Sequence, residues 1–86
     1  MAVYVDKSKN QYRGMIMSHL LADTVDELHE FAQKLGLKRE WFQPKSTPHY
    51  DVCQRVRKLA IQLGAIEIDR NKTVEIIRKF RAQSFT

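Results

Sequence analysis

The chain has 86 residues, 43% of them apolar, with one cysteine and a formal net charge of +5. That length fits one domain, and a single cysteine, Cys53, excludes an intrachain disulfide. No stretch approaches the ~20 apolar residues of a membrane-spanning helix, and MAVYVDKSKN lacks the pattern of a signal peptide, so a cytoplasmic location is expected, in the host cell if the gene comes from a phage.

Val3-Tyr4-Val5 is short, β-branched and aromatic, which predicts a strand ending at Asp6. Residues 7–13, KSKNQYR, read as a polar loop. After Gly14 the run Met15 to Leu21 has the length of a buried strand. Thr24-Val25-Asp26-Glu27 is a capping-box sequence, and Val25, Leu28, Phe31, Ala32 and Leu35 then recur at helical spacing up to a Gly36 C-cap. Residues 38–48 are irregular, punctuated by Pro44 and Pro48, with a short helical turn expected near Glu40–Gln43; Trp41 and Phe42 are expected to plug the core.

A second helix is predicted from Asp51 as N-cap, with Val52, Val56, Leu59, Ala60 and Leu63 as its inner stripe and Gly64 as its stop. Ala65 to Ile68 reads as a strand ended by Asp69. A last helix is expected from Asn71 or Thr73, with Val74, Ile77 and Phe80 facing inward and a frayed tail over 83–86. This order predicts one α/β domain over residues 1–86, with α+β as the alternative: a three-stranded sheet carrying about three helices.

Charge is unevenly placed. Residues 1–51 are neutral overall, whereas residues 52–86 hold eight Lys/Arg against three Asp/Glu. This predicts a basic face on the C-terminal part that attracts an anionic partner such as nucleic acid, or that simply keeps the domain solvated.

The residues able to carry chemistry gather in three places. Asp6 ends the first strand, His19 and Asp23 stand at the entry to the first helix, and His49-Tyr50-Asp51 precedes the second. Imidazoles beside carboxylates suit proton transfer or metal binding, and helix N-termini favour anions. His19, Asp23, His49 and Asp51 are therefore the candidate catalytic residues and the candidate ligands of a divalent metal. Asp6, Arg13, Tyr50 and Arg55 are candidate ligand-binding residues.

Each residue also has a plain structural role available: Asp23 and Asp51 as caps, His19 and Tyr50 as hydrogen-bonded core. Cys53 lies four residues after His49, which permits a Cys-His pair; a small core residue is the ordinary alternative. The spacing matches no closed zinc pattern, there is no HExxH, and three isolated glycines build no phosphate loop. Whether Asp6 joins the other residues depends on strand order. A parallel first pair would bring Asp6 to His19, and an antiparallel hairpin would place the two at opposite ends.

The words AVYVD, RGMIMSHLLADT, DELHEFAQKLGL, EWFQ, PHYD and RKLAIQLGAIEI, in this order over about residues 2–69, resemble a family of small bacterial and phage proteins known only as a domain of unknown function. The resemblance implies a compact cytosolic domain and singles out Asp6, Arg13, His19, Asp23, Glu27, Trp41, His49, Tyr50 and Asp51. It implies no activity or cofactor. Ser18 stands where similar proteins have Cys, so a thiol role is missing at that position.

Three function classes follow. The first is a small enzyme or binding domain for a phosphate-bearing ligand, nucleotide or nucleic acid, using His19 or His49 as acid/base. The second is a non-enzymatic nucleic-acid- or protein-binding module using Arg55, Arg57, Arg78 and Arg81. The third is a dimerising structural subunit.

Overall fold

The computed structural model describes residues 2–44 and 47–83. Its central element is the strand β3 (Met15–Ala22), preceded by β1 (Val3–Val5) and β2 (Asn10–Tyr12) and followed by α1 (Val25–Lys34). A 3-10 turn (Arg39–Trp41), β4 (Tyr50–Cys53), α2 (Gln54–Gln62), β5 (Ile66–Glu67) and α3 (Arg70–Gln83) complete the chain. The mixed α/β class is as expected. The sheet has five strands rather than three.

Both extra strands were hidden by local sequence. β2 is formed by polar residues that are all exposed, so no burial pattern marks it. It pairs with the start of β3 through the two-residue turn Arg13-Gly14. Both turn residues have positive φ, 50° and 78°, the backbone of a type I′ hairpin. β4 was read as a helix start because Val52 and Val56 are four apart. Yet Tyr50 and Val52 also alternate inward on a strand, and a short apolar run satisfies both periods. Asp51 is therefore a strand residue and not a cap; Cys53 occupies the α2 N-cap position, without a side-chain cap bond.

β3 is long enough to serve three partners. Met17 faces both Asn10 and Cys53, and Leu20 faces both Val5 and Tyr50, all antiparallel. β2 and β1 thus follow one another along one edge of β3, and β4 lies along the other. β5 adds to β1 in parallel. Between β1 and β2 the register breaks: Val5 faces Leu20 and Asn10 faces Met17, so residues 6–9 stand against only Ser18 and His19. A bulge of this kind bends a strand and re-aims its side chains.

Helices cover both faces. Val5, Leu20, Ala22, Tyr50 and Val52 pack with Leu28 and Ala32 of α1 and Val56 and Ala60 of α2. On the other face Tyr4 and Leu21 pack with Ile68 and with Ile76 of α3. The alternation of Leu20 and Leu21 between two cores is the period-2 rule of a strand buried on both sides. α1 starts as the sequence predicts, with Thr24 Oγ1 accepting from Glu27 N at 3.2 Å. It ends in a Schellman motif, Leu37 N to Ala32 O and Gly36 N to Gln33 O, with Gly36 at φ 79°. α2 ends identically through Ala65 N to Ala60 O and Gly64 N to Ile61 O.

Other details depart from expectation. Phe42 packs against the core, but Trp41 is half exposed, because the 3-10 turn points it outward. Leu63 and Val74 are exposed, and Ile76 rather than Val74 is the buried residue of α3, since that helix begins at Arg70 and Asp69 caps it through Lys72 N. Residues 84–86 of the expected frayed tail lie outside the described residues. Among the described residues, no helix is long and apolar enough to cross a membrane.

Candidate functional site

The site lies on the α3 side of the sheet. Directly opposite residues of neighbouring strands share a face, and His19 of β3 lies opposite Asp51 of β4. His49 immediately precedes β4. An isolated bridge holds it to Gln43, with Gln43 N donating to His49 O at 3.0 Å and His49 N to Gln43 O at 3.1 Å. The His19 and His49 rings meet edge to face with centroids 5.1 Å apart. His19, His49 and Asp51 each offer one donor atom, and all three donors fall within 4.8 Å of one another. His19 Nε2 is 3.9 Å and His49 Nε2 is 3.6 Å from Asp51 Oδ1. Both separations are too long for direct hydrogen bonds.

Each of the three is held from behind. His19 Nδ1 pairs with Asp6 Oδ2 at 2.7 Å, which assigns the proton to Nδ1 and turns the Nε2 lone pair toward Asp51. His49 Nδ1 donates to Thr47 O at 2.7 Å, with the same result for its own Nε2. Gln43 Nε2 donates to Asp51 Oδ2 at 2.7 Å, leaving Oδ1 toward the imidazoles. Two lone pairs and a carboxylate oxygen therefore converge with no proton among them, an arrangement that attracts a cation.

Asp6 is the most constrained member. Its Oδ1 accepts from His19 N at 2.8 Å, Ser8 Oγ at 2.8 Å and Ser8 N at 3.3 Å, and its backbone oxygen accepts from Arg57 Nε at 2.9 Å. Burial pushes its carboxyl pKa up, but the hydrogen bonds from the His19 side chain and backbone and from Ser8 outweigh this and hold it at about 2. The hydrogen bond to Asp6 raises the His19 pKa above its ordinary value, against the opposing effect of burial. Behind this shell Ser18 Oγ donates to Ser8 O at 2.7 Å, and Gln54 Nε2 donates to Ser18 Oγ at 3.1 Å.

Asp6 thus stands beside His19 although β1 and β3 are antiparallel. The expected separation assumed that these two strands form the hairpin. β2 forms it instead, and β1 pairs only with the last residues of β3, so the end of β1 falls at the middle of β3.

Four candidates stand elsewhere. Asp23 lies beyond the far end of β3, four residues or about 13 Å of extended chain from His19. There its Oδ1 accepts from Tyr4 Oη at 2.9 Å and its Oδ2 from Ala2 N at 2.8 Å. Tyr50 points to the opposite face, where its hydroxyl pairs with His29 Nδ1 at 2.8 Å. Arg13 is the hairpin turn, its guanidinium over the Tyr12 ring. Arg55 is exposed on α2. Cys53 faces Met17 across the ladder, one strand position beyond Val52. The basic residues do not form a single face: α2 and α3 cover opposite sides of the sheet, and Arg57 is engaged by Asp6 and by Glu67 Oε2 at 2.5 Å.

A family model matches residues 3–80, almost the whole chain. The chain belongs to the family described as protein of unknown function (DUF4031). No curated protein and no solved structure matches it. In this family member, Gln43, Thr47, Ser8 and Arg57 complete the site and were not singled out from sequence. Gln43 lies within the EWFQ word, but a glutamine in an irregular segment carries no signal until its bridge to His49 is seen.

A cavity of about 170 Å³ adjoins the two histidines, closed by Leu21, Thr47 and one stripe of α3, Thr73, Ile77 and Arg81. The stripe has a spacing of four, one face of the helix.

Proposed function

We propose that this domain is a divalent-metal centre of the open, three-ligand kind, acting on a phosphate-bearing ligand. His19 Nε2, His49 Nε2 and Asp51 Oδ1 are the ligands; Asp6, the Thr47 carbonyl and Gln43 are the groups that orient them. The observation that carries the reading is that every one of the three has such an orienting partner. Ligating histidines characteristically donate their other ring N–H to a carboxylate or a backbone carbonyl, and ligating carboxylates are themselves hydrogen-bonded.

The spacing suits the chemistry. Donors on a tetrahedral ion with ~2.0–2.1 Å bonds stand ~3.3 Å apart, so the present 3.6 and 3.9 Å require closure by a few tenths of an ångström each. Two imidazoles and one carboxylate leave at least one coordination position open, as catalytic sites do and closed structural sites do not. Bound there, such an ion lowers the pKa of a coordinated water and polarises a phosphoryl oxygen. Arg81 at the cavity supports an anionic ligand, and the partial exposure of His19 and Asp51, 32% and 38%, admits one.

The test is metal uptake by the full chain. Metal-stripped protein titrated with Co²⁺ is expected to bind one equivalent, with the visible spectrum of nitrogen–oxygen coordination. His19→Ala, His49→Ala and Asp51→Ala are each expected to abolish that spectrum while keeping the far-UV circular dichroism of the fold. Hydrolysis of a phosphomonoester is expected only in the metal-loaded protein. Uptake that is absent, or equal in all three variants, overturns the proposal.

A further inference from the structure

We infer that the cavity beside His19 and His49 is a seat for a small oxyanion, a phosphoryl group with little attached to it, and that the Thr47 hydroxyl is one of its binding groups. The inference rests on the metal centre proposed above and names its ligand class.

The first observation is an unmet hydroxyl. Thr47 is 95% buried, being 5% exposed, and its Oγ1 meets no hydrogen-bond partner among the described residues. Buried polar groups are nearly always paired, and an orphan in a cavity wall marks a group whose partner is a ligand or water. Thr47 lines the same cavity as His19 and His49, and its backbone carbonyl already holds His49. Thr47 therefore fixes a proposed metal ligand with its main chain and keeps a donor for a second task.

The second observation is the sorting of charge. In the metal-free site the Asp51 carboxylate repels an anion. A divalent ion reverses the local field, so that metal, Arg81 and the Thr47 hydroxyl then favour the same oxyanion. Thr73 is not a further donor, because its hydroxyl donates to Asp69 O at 3.0 Å. Leu21 and Ile77 give the remaining wall an apolar surface suited to a short alkyl substituent.

The third observation is size. At about 170 Å³ the cavity lies below the ~300–1,000 Å³ of pockets that enclose drug-sized ligands. It holds a phosphoryl group and a few further atoms. A nucleoside would remain outside, so whole nucleotides gain nothing from it.

The test uses the Co²⁺-loaded full chain with inorganic phosphate, methyl phosphate and adenosine monophosphate as probes, followed by the cobalt spectrum and by calorimetry. Inorganic and methyl phosphate are expected to bind, and adenosine monophosphate no more tightly than methyl phosphate. Thr47→Val is expected to leave Co²⁺ affinity unchanged, to weaken phosphate binding by about tenfold to a hundredfold, and to melt at a higher temperature. Thr47→Ser is expected to retain binding. Phosphate uptake by metal-free protein, equal uptake by Thr47→Val, or adenosine monophosphate binding more than tenfold tighter than methyl phosphate overturns the inference while the metal centre stands. Failure of the metal centre itself shows earlier, as no cobalt spectrum, and removes the inference with it.

Discussion

Asp6 grips His19 twice: Oδ2 takes the ring Nδ1 at 2.7 Å and Oδ1 takes the backbone N–H at 2.8 Å. The two contacts fix both where the imidazole sits on β3 and which of its nitrogens carries the proton. The bulge over residues 6–9 makes this possible, because it brings Asp6 and Ser8 together against one residue of the longer strand.

Replacing Asp6 by Asn keeps the shape but loses the charge and one acceptor. Metal affinity is expected to fall by about 10- to 100-fold, the usual effect of removing an orienting partner. Stability is expected to drop by about 1–3 kcal/mol, since an amide cannot accept from both Ser8 and His19 without leaving donors opposed. Calorimetric titration with Zn²⁺ and urea unfolding check the two expectations separately.

Thr47→Val should stabilise the metal-free protein. The substitution is nearly isosteric and removes a buried hydroxyl that has no partner among the described residues. Such a group costs about 1–3 kcal/mol when buried unpaired, so a gain of about 1 kcal/mol in urea is expected. A loss of stability would mean that the hydroxyl is satisfied.

The Tyr4–Asp23 pair sets a pH dependence at the opposite end of the sheet. Burial raises the Asp23 pKa, but hydrogen bonds from Tyr4 and Ala2, with the charge of Lys79, bring it below its ordinary 3.8. Its stabilising contribution is therefore present above 3.8 and is lost as the pH falls through the lower folded value. Tyr4 is raised above 10.0, by burial first and then by Asp23, so alkali above that value also favours the unfolded chain. Tyr4→Phe is expected to flatten both limbs of a plot of unfolding free energy against pH.

Leu20→Ala is expected to reduce stability by about 2–5 kcal/mol with an unchanged urea m-value. Leu20 is fully buried, at the point of β3 that meets β1 and β4 together, so the cavity has no flexible neighbour to fill it. Ile66→Ala, at an exposed position of β5, is the matched control, expected to change stability by less than about 0.5 kcal/mol.

By itself the sequence determined what rests on local chemistry. Thr24 and Glu27 start α1, Gly36 and Gly64 end α1 and α2, and the family words appear in order, because caps and periodicities act over a few residues. It also supplied the histidines and carboxylates as candidates. Tertiary structure decided which of them meet. His19, His49 and Asp51 come together through the β3–β4 register, and Asp6 joins through a bulge that no local pattern announces. Asp23, four residues from His19, is carried away by the extended strand. Gln43 and Thr47 acquire roles only when the irregular segment folds back on β4. Strand pairing is a relation between distant residues, set by burial on both faces of β3 at once, and a chain read one window at a time does not contain it.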